Sequence, residues 1–186
     1  MSRRDLGILS AILITLIISR IIPHAPNFTS TAAGLIFAGA VLRKPHFSLI
    51  ILAGYFLCDL LINNTLYASN SSSFQWTSQA IGWIYASLLI SFFISRHLSE
   101  NLESPFKLLG ISVTSSLVFY ALSNFGVWNE GLLYTRDLSG LITCYIAGIP
   151  YLLNEMAASV FFTVIFFLIY WKTFERPSSS YKEVVS

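Results

Sequence analysis

Six apolar stretches nearly fill this chain of 186 residues and leave few folds open to it. They run approximately from Leu6 to Ile22, Thr29 to Leu42, Phe47 to Leu66, Trp76 to Ser95, Phe106 to Phe125 and Ile146 to Trp171. A bilayer core takes about 20 apolar residues of helix to cross, and in lipid only helices or closed barrels satisfy their own backbone groups. Most of the six approach that length, so the expected fold is all-α, a polytopic membrane protein with six transmembrane helices. Composition agrees, with 55% of residues hydrophobic and only 11% charged. An ordinary soluble domain has roughly 25% charged residues. One membrane domain over residues 1–175 is expected, then a flexible cytoplasmic tail over 176–186. The second stretch is short, and Leu138 to Gly148 can form a separate short re-entrant helix ending near Pro150.

Basic residues in short loops stay on the cytoplasmic side. Of eleven Lys and Arg, nine fall on one side of a six-span arrangement: Arg3, Arg4, Arg43, Lys44, Arg96, Lys107, Lys172, Arg176 and Lys182. Both termini are therefore expected to be cytoplasmic. The two Arg before the first apolar run also suit a signal peptide, but no small-x-small site follows and Arg20 interrupts the run, which favours an uncleaved helix. The net charge is +2 and the basic residues are scattered, so nothing points to nucleic acid.

That orientation gathers the polar residues at one face. Arg20, His24, Asn27, Asp59, Asn63, Tyr67, Asn124, Trp128, Asn129, Glu130, Tyr134, Arg136, Asp137, Asn154 and Glu155 all fall in the outer half or outside it. Ionisable groups at membrane depth are costly and mark pathways or sites. Asp59 stands well inside the third span, and Arg20 lies at similar depth in the first. They can pair to hold the bundle together, or Arg20 can snorkel to the interface. Glu155 is submerged if the last helix begins near Ile146, and belongs to an interfacial first turn if it begins at Pro150. Trp76, Trp128, Tyr134 and Trp171 suit an aromatic belt. The density of amides and charges between Ser123 and Pro150 exceeds what a belt needs.

The expected site is a pocket at the extracytoplasmic face for a small, planar, polar solute, closed by that segment. Trp128 and Tyr134 would stack on it, Asn124 and Asn129 would bond its edges, and Arg136 or Arg20 would meet an anionic group. Asp59 and Asn154 would form the floor, and Gly126 and Gly131 would let the segment move as a lid. Ser30, Gly34 and Ala38 form a stripe of small residues, suited either to close contact with a partner helix or to packing within the bundle.

No Gly-x-Ser-x-Gly, His-Glu-x-x-His or phosphate loop is present, so catalysis is not expected. Cys58, Asp59, His24 and Cys144 match no established spacing for a metal or corrinoid ligand set, and no metal or cofactor is expected. The two Cys give no disulfide framework. A structural or assembly role in the membrane is the alternative to solute capture.

"RIIPHAPNFTSTAA" (Arg20 to Ala33), "LCDLLI" (Leu57 to Ile62), "SNFGVW" (Ser123 to Trp128) and "GLITCYIAGIPYLLN" (Gly140 to Asn154) resemble the motifs of an uncharacterised family of bacterial multi-pass membrane proteins regarded as transporters. That family is in turn similar in size, helix number and topology to the substrate-binding S components of energy-coupling-factor vitamin transporters. The resemblance implies the bacterial cytoplasmic membrane, a vitamin-like small-molecule substrate, and partners consisting of the lipid bilayer, a transmembrane coupling protein and its ATPases. It carries over the positions of Arg20, Pro23, His24, Pro26, Asn27, Asp59, Asn124, Trp128, Tyr134, Tyr145, Pro150 and Asn154. The chain departs from the family pattern at Cys58 and at Ala158 to Ser159, where relatives have a serine and a Gly-Asp pair.

Overall fold

The computed structural model describes residues 2–66, 74–99 and 105–174. Tyr67, Arg176, Lys182 and the tail expected over 176–186 lie outside these residues. Among the described residues every regular element is helical: α1 (Arg3–Ile21), α2 (Thr31–Phe37) running on into a π-turn (Ala38–Leu42), α3 (Pro45–Asn64), α4 (Ile81–Leu98), α5 (Pro105–Glu130) and α6 (Leu138–Phe174).

Local chemistry sets several of these boundaries. Ser2 and Asp5 form a capping box at the start of α1, the Ser2 hydroxyl accepting from the Asp5 N–H at 3.0 Å. Pro23 stands just beyond its end. Pro45 opens α3, where its missing N–H has no helical partner to lose. Gly131, at φ +67°, ends α5 in the left-handed region that other residues resist.

The helices α3, α4, α5 and α6 are long and apolar enough to cross a membrane. Many of their large apolar side chains point outward, among them Leu57, Leu61, Leu153, Phe161 and Leu168. So many exposed apolar side chains on long apolar helices suit lipid and not water, and this is the make-up of a membrane protein. The 19 residues of α1 also turn Ile14, Ile17, Ile18 and Ile21 outward, but Arg3, Arg4, Asp5 and Arg20 charge its ends.

The second apolar stretch differs from the rest. With its π-turn it covers residues 31–42, about 18 Å of helix against a hydrocarbon core of about 30 Å. Every residue of α2 is buried, as expected of a helix apolar all round and enclosed by protein. It packs on α4 and α6. A side chain at Gly39 would strike the Phe92 carbonyl, and the Ser95 hydroxyl donates to the Ile36 carbonyl at 2.6 Å. The Ser30, Gly34 and Ala38 stripe is therefore spent on internal packing. Phe37 anchors the element among the rings of Phe166, Phe167 and Tyr170.

Leu138–Phe174 is one continuous helix, so Leu138 to Gly148 is joined to the last span and does not stand apart as a re-entrant piece. Pro150 removes one backbone bond and crowds a carbonyl one turn back. One turn earlier the helix is tied to α5: the Tyr120 hydroxyl donates to the Tyr145 carbonyl at 2.5 Å, and the Tyr145 hydroxyl donates back to the Ala121 carbonyl at 2.6 Å. The 37 residues of α6 extend about 55 Å, well beyond a bilayer core. Arg4 donates to the Tyr170 hydroxyl and so brings the start of α1 to the end of α6. The opposite end of the bundle holds the candidate site.

Candidate functional site

Arg20 comes from the last turn of α1, and Asp59 stands five residues before the end of α3, the helix on which α1 packs. The Arg20 Nη2 lies 2.5 Å from Asp59 Oδ1, with the two side chains 13% and 9% exposed. Tyr55 precedes Asp59 by four residues and so shares its face of α3. The guanidinium lies over the Tyr55 ring, 4.4 Å from its centroid. Ser78 donates to the other Asp59 oxygen, and Asn63 donates to Ser78 at 3.1 Å. Each Asp59 oxygen thus has a donor, which a carboxylate removed from water requires.

This pair forms part of the wall of a cavity of about 300 Å³, which Asn27, Thr31, Phe119 and Glu155 also line. His24 and Pro26 are exposed at its rim. The segment between α1 and α2 is fastened across this end. Asn154 donates to the Pro26 carbonyl at 2.9 Å, and Phe28 packs against Phe161 and Phe162. Asn27 turns the chain there at φ 63°, a conformation asparagine tolerates better than most residues. A second cavity of about 370 Å³ shares Asn27, Ile84 and Phe119 with the first and is lined further by Asn124, Tyr134 and Cys144.

Arg20, His24, Asn27 and Asp59 therefore meet at the first cavity, and Asn27, Asn124 and Tyr134 at the second. Trp128, Asn129, Arg136 and Asn154 line neither. The segment expected to close the pocket is largely helical, since α5 runs to Glu130 and α6 begins at Leu138. The indole N–H of Trp128 donates to the carbonyls of Thr135 and Asp137, at 3.0 and 3.2 Å, and fastens the short connection. Arg136 donates to the Glu130 carbonyl at 2.9 Å, at the end of α5. Asn129 is exposed. The two glycines expected to let a lid move have other uses: a side chain at Gly126 would strike Trp83, and Gly131 stops α5.

Glu130 Oε1 accepts from the Ala80 N–H at 2.7 Å, tying α5 to the start of α4. Asp137 begins α6: its Oδ1 accepts from the Gly140 N–H at 2.7 Å and from the Thr135 hydroxyl at 3.0 Å. The Gly140 N–H above all, and then the Thr135 hydroxyl, hold its carboxyl below the ordinary value of 3.8.

Tyr55, Thr31 and Ser78 were not singled out by the sequence reading. For Tyr55 a signal existed in its four-residue spacing from Asp59. Because α6 begins at Leu138 and not at Pro150, Glu155 lies well inside the helix, where it is 5% exposed and lines the cavity. Among the described residues no three His, Cys, Asp or Glu side chains converge as metal ligands.

Residues 2–179 match the model of a family of unknown function, DUF6580, and the chain belongs to that family. No curated protein matches it. No solved structure matches it either.

Proposed function

We propose that this member of the DUF6580 family captures a small polar solute at the extracytoplasmic end of its helix bundle, as the substrate-binding subunit of a transport system. The observation that carries this reading is the Arg20–Asp59 pair set in the wall of a cavity of about 300 Å³ at the end of the bundle away from the basic termini. An ion pair needed only to hold helices together has no use for an adjoining polar cavity. Small-molecule sites are concavities of about 300–1,000 Å³ in which a few polar groups converge on an otherwise apolar wall. The charge bias of the sequence supports this end lying outside the bacterial cytoplasmic membrane, with both termini in the cytoplasm, as part of the same proposal. The adjoining cavity, with Asn124 and Tyr134, extends the site towards the α5–α6 connection. Docking on a transmembrane coupling protein driven by ATPases is part of the same proposal, by likeness to the S components. It must use a surface other than the small-residue stripe of α2.

A structural role is the second reading. It is favoured by the hydrogen bonds of Trp128, Arg136 and Asn154, all of which are spent within the chain. Mass spectrometry of small molecules released from the purified protein separates the two. Solute capture requires a molecule that co-purifies with the wild type and is lost from Thr29→Trp, which adds bulk at a residue lining the first cavity. A molecule retained equally by the variant, or no molecule under any growth condition, favours the structural role.

A further inference from the structure

Glu155 is the one acid of the first cavity without a counter-charge. It lines the cavity at 5% exposure, yet among the described residues no protein donor reaches its Oε1. Asp59, on the same wall, has Arg20 and Ser78. A carboxyl group held out of water without a partner is costly, and one placed on a cavity wall is satisfied by what enters the cavity. The charges decide what that is. Arg20 supplies one positive charge and is spent on Asp59, and the other basic lining residue, His24, is exposed at the rim, so a cation that enters is the group that would let Glu155 carry its charge. Arg20 Nε is also buried without an acceptor.

We propose that the cavity selects an organic cation, a solute whose ammonium or amidinium group donates to Glu155 while an acceptor elsewhere on it meets Arg20 Nε. Phe119 and Ile84, which both cavities share, offer apolar contact to the solute's body. A nitrogen cation donating to a carboxylate makes a charge-assisted bond, roughly twice as strong as a neutral one. This inference rests on the capture reading and narrows its substrate class. It also replaces the recognition of an anionic group expected at Arg136 or Arg20 by recognition of a cation at an acid of α6.

Three probes of one shape and different charge test it: benzamidinium, benzamide and benzoate, titrated into the purified full-length protein with binding read by calorimetry. Benzamidinium should bind at least about tenfold more tightly than benzamide, the difference a charge-assisted bond supplies over a neutral one. Glu155→Gln should abolish that preference without lowering the unfolding temperature, and Glu155→Asp should keep part of it. If Glu155→Gln does not fold, the wild-type preference and Glu155→Asp still decide. Equal binding of benzamide, preferred binding of benzoate, no binding of any probe, or an unchanged preference in Glu155→Gln overturns the inference. So does an effect reproduced by sodium chloride alone. A neutral or anionic molecule that co-purifies with the wild type and is lost from Thr29→Trp would overturn the cation and leave capture standing.

Discussion

Arg20 and Asp59, thirty-nine positions apart in sequence, meet at 2.5 Å and close the last turn of α1 onto α3. Both are largely out of water. Removing one partner of a buried pair strands the other, at a cost of about 3–5 kcal/mol. Asp59→Asn and Arg20→Gln are each predicted to destabilise the bundle on that scale, and the double variant to recover much of the loss. Unfolding in denaturing detergent measures all three. Single effects that simply add in the double variant would deny the coupling.

Trp128 gives a prediction opposite to the one its sequence context suggests. A stacking residue would weaken solute binding when removed and leave folding intact. Its indole N–H instead holds the carbonyls of Thr135 and Asp137. Trp128→Phe keeps the ring and loses the donor, and should cost about 1 kcal/mol of stability. Affinity for the co-purified solute should be unchanged. Thermal unfolding and a binding titration on the same preparation check both parts.

Much of the helix pattern is legible in the apolar runs, because a segment that must satisfy its backbone in lipid announces itself by length. The Arg20–Asp59 pair was legible too, as opposite charges at similar depth in neighbouring segments. The ends of α5 and α6 were not. Apolarity stops near Phe125, but a helix stops where its backbone finds caps, here Gly131 for α5 and Asp137 for α6. The polar residues between are therefore divided between the ends of two long helices and a short connection, where Trp128 and Arg136 spend their donors on backbone carbonyls. The depth of Glu155 was hidden for the same reason, since it depended on where α6 begins. The burial of α2 was foreshadowed only by its shortness.

Glu130 reaches the Ala80 N–H at the start of α4, where Ala80 adopts φ 55°. A side-chain acceptor at a helix start contributes about 1 kcal/mol. Glu130→Ala should lose that amount, and Glu130→Gln, which keeps an acceptor oxygen, should lose less. The comparison of unfolding midpoints is the check. Equal losses would point to charge as the source of the effect.

Asp137 carries a pH dependence whose sign follows from its depressed carboxyl. A carboxylate with a folded-state value below its unfolded one contributes stability above the unfolded value and loses it as the pH falls through the folded one. The start of α6 should therefore hold at neutral pH and loosen below about pH 4. Hydrogen exchange at Gly140 and Leu141, followed from neutral pH downward, should show protection falling in that window. In Asp137→Asn protection should be weaker at neutral pH and should not fall further there.

Whether the cavity opens outward and holds a solute can be read from a single thiol at Thr29, a residue of its lining. In a background with Cys58→Ala and Cys144→Ala, Thr29→Cys is exposed to a membrane-impermeant maleimide in intact cells, with and without the molecule released from the purified wild type. Modification from outside, slowed in proportion to the solute added, is the predicted result. Modification only after the membrane is permeabilised, or a rate indifferent to the solute, would contradict the account.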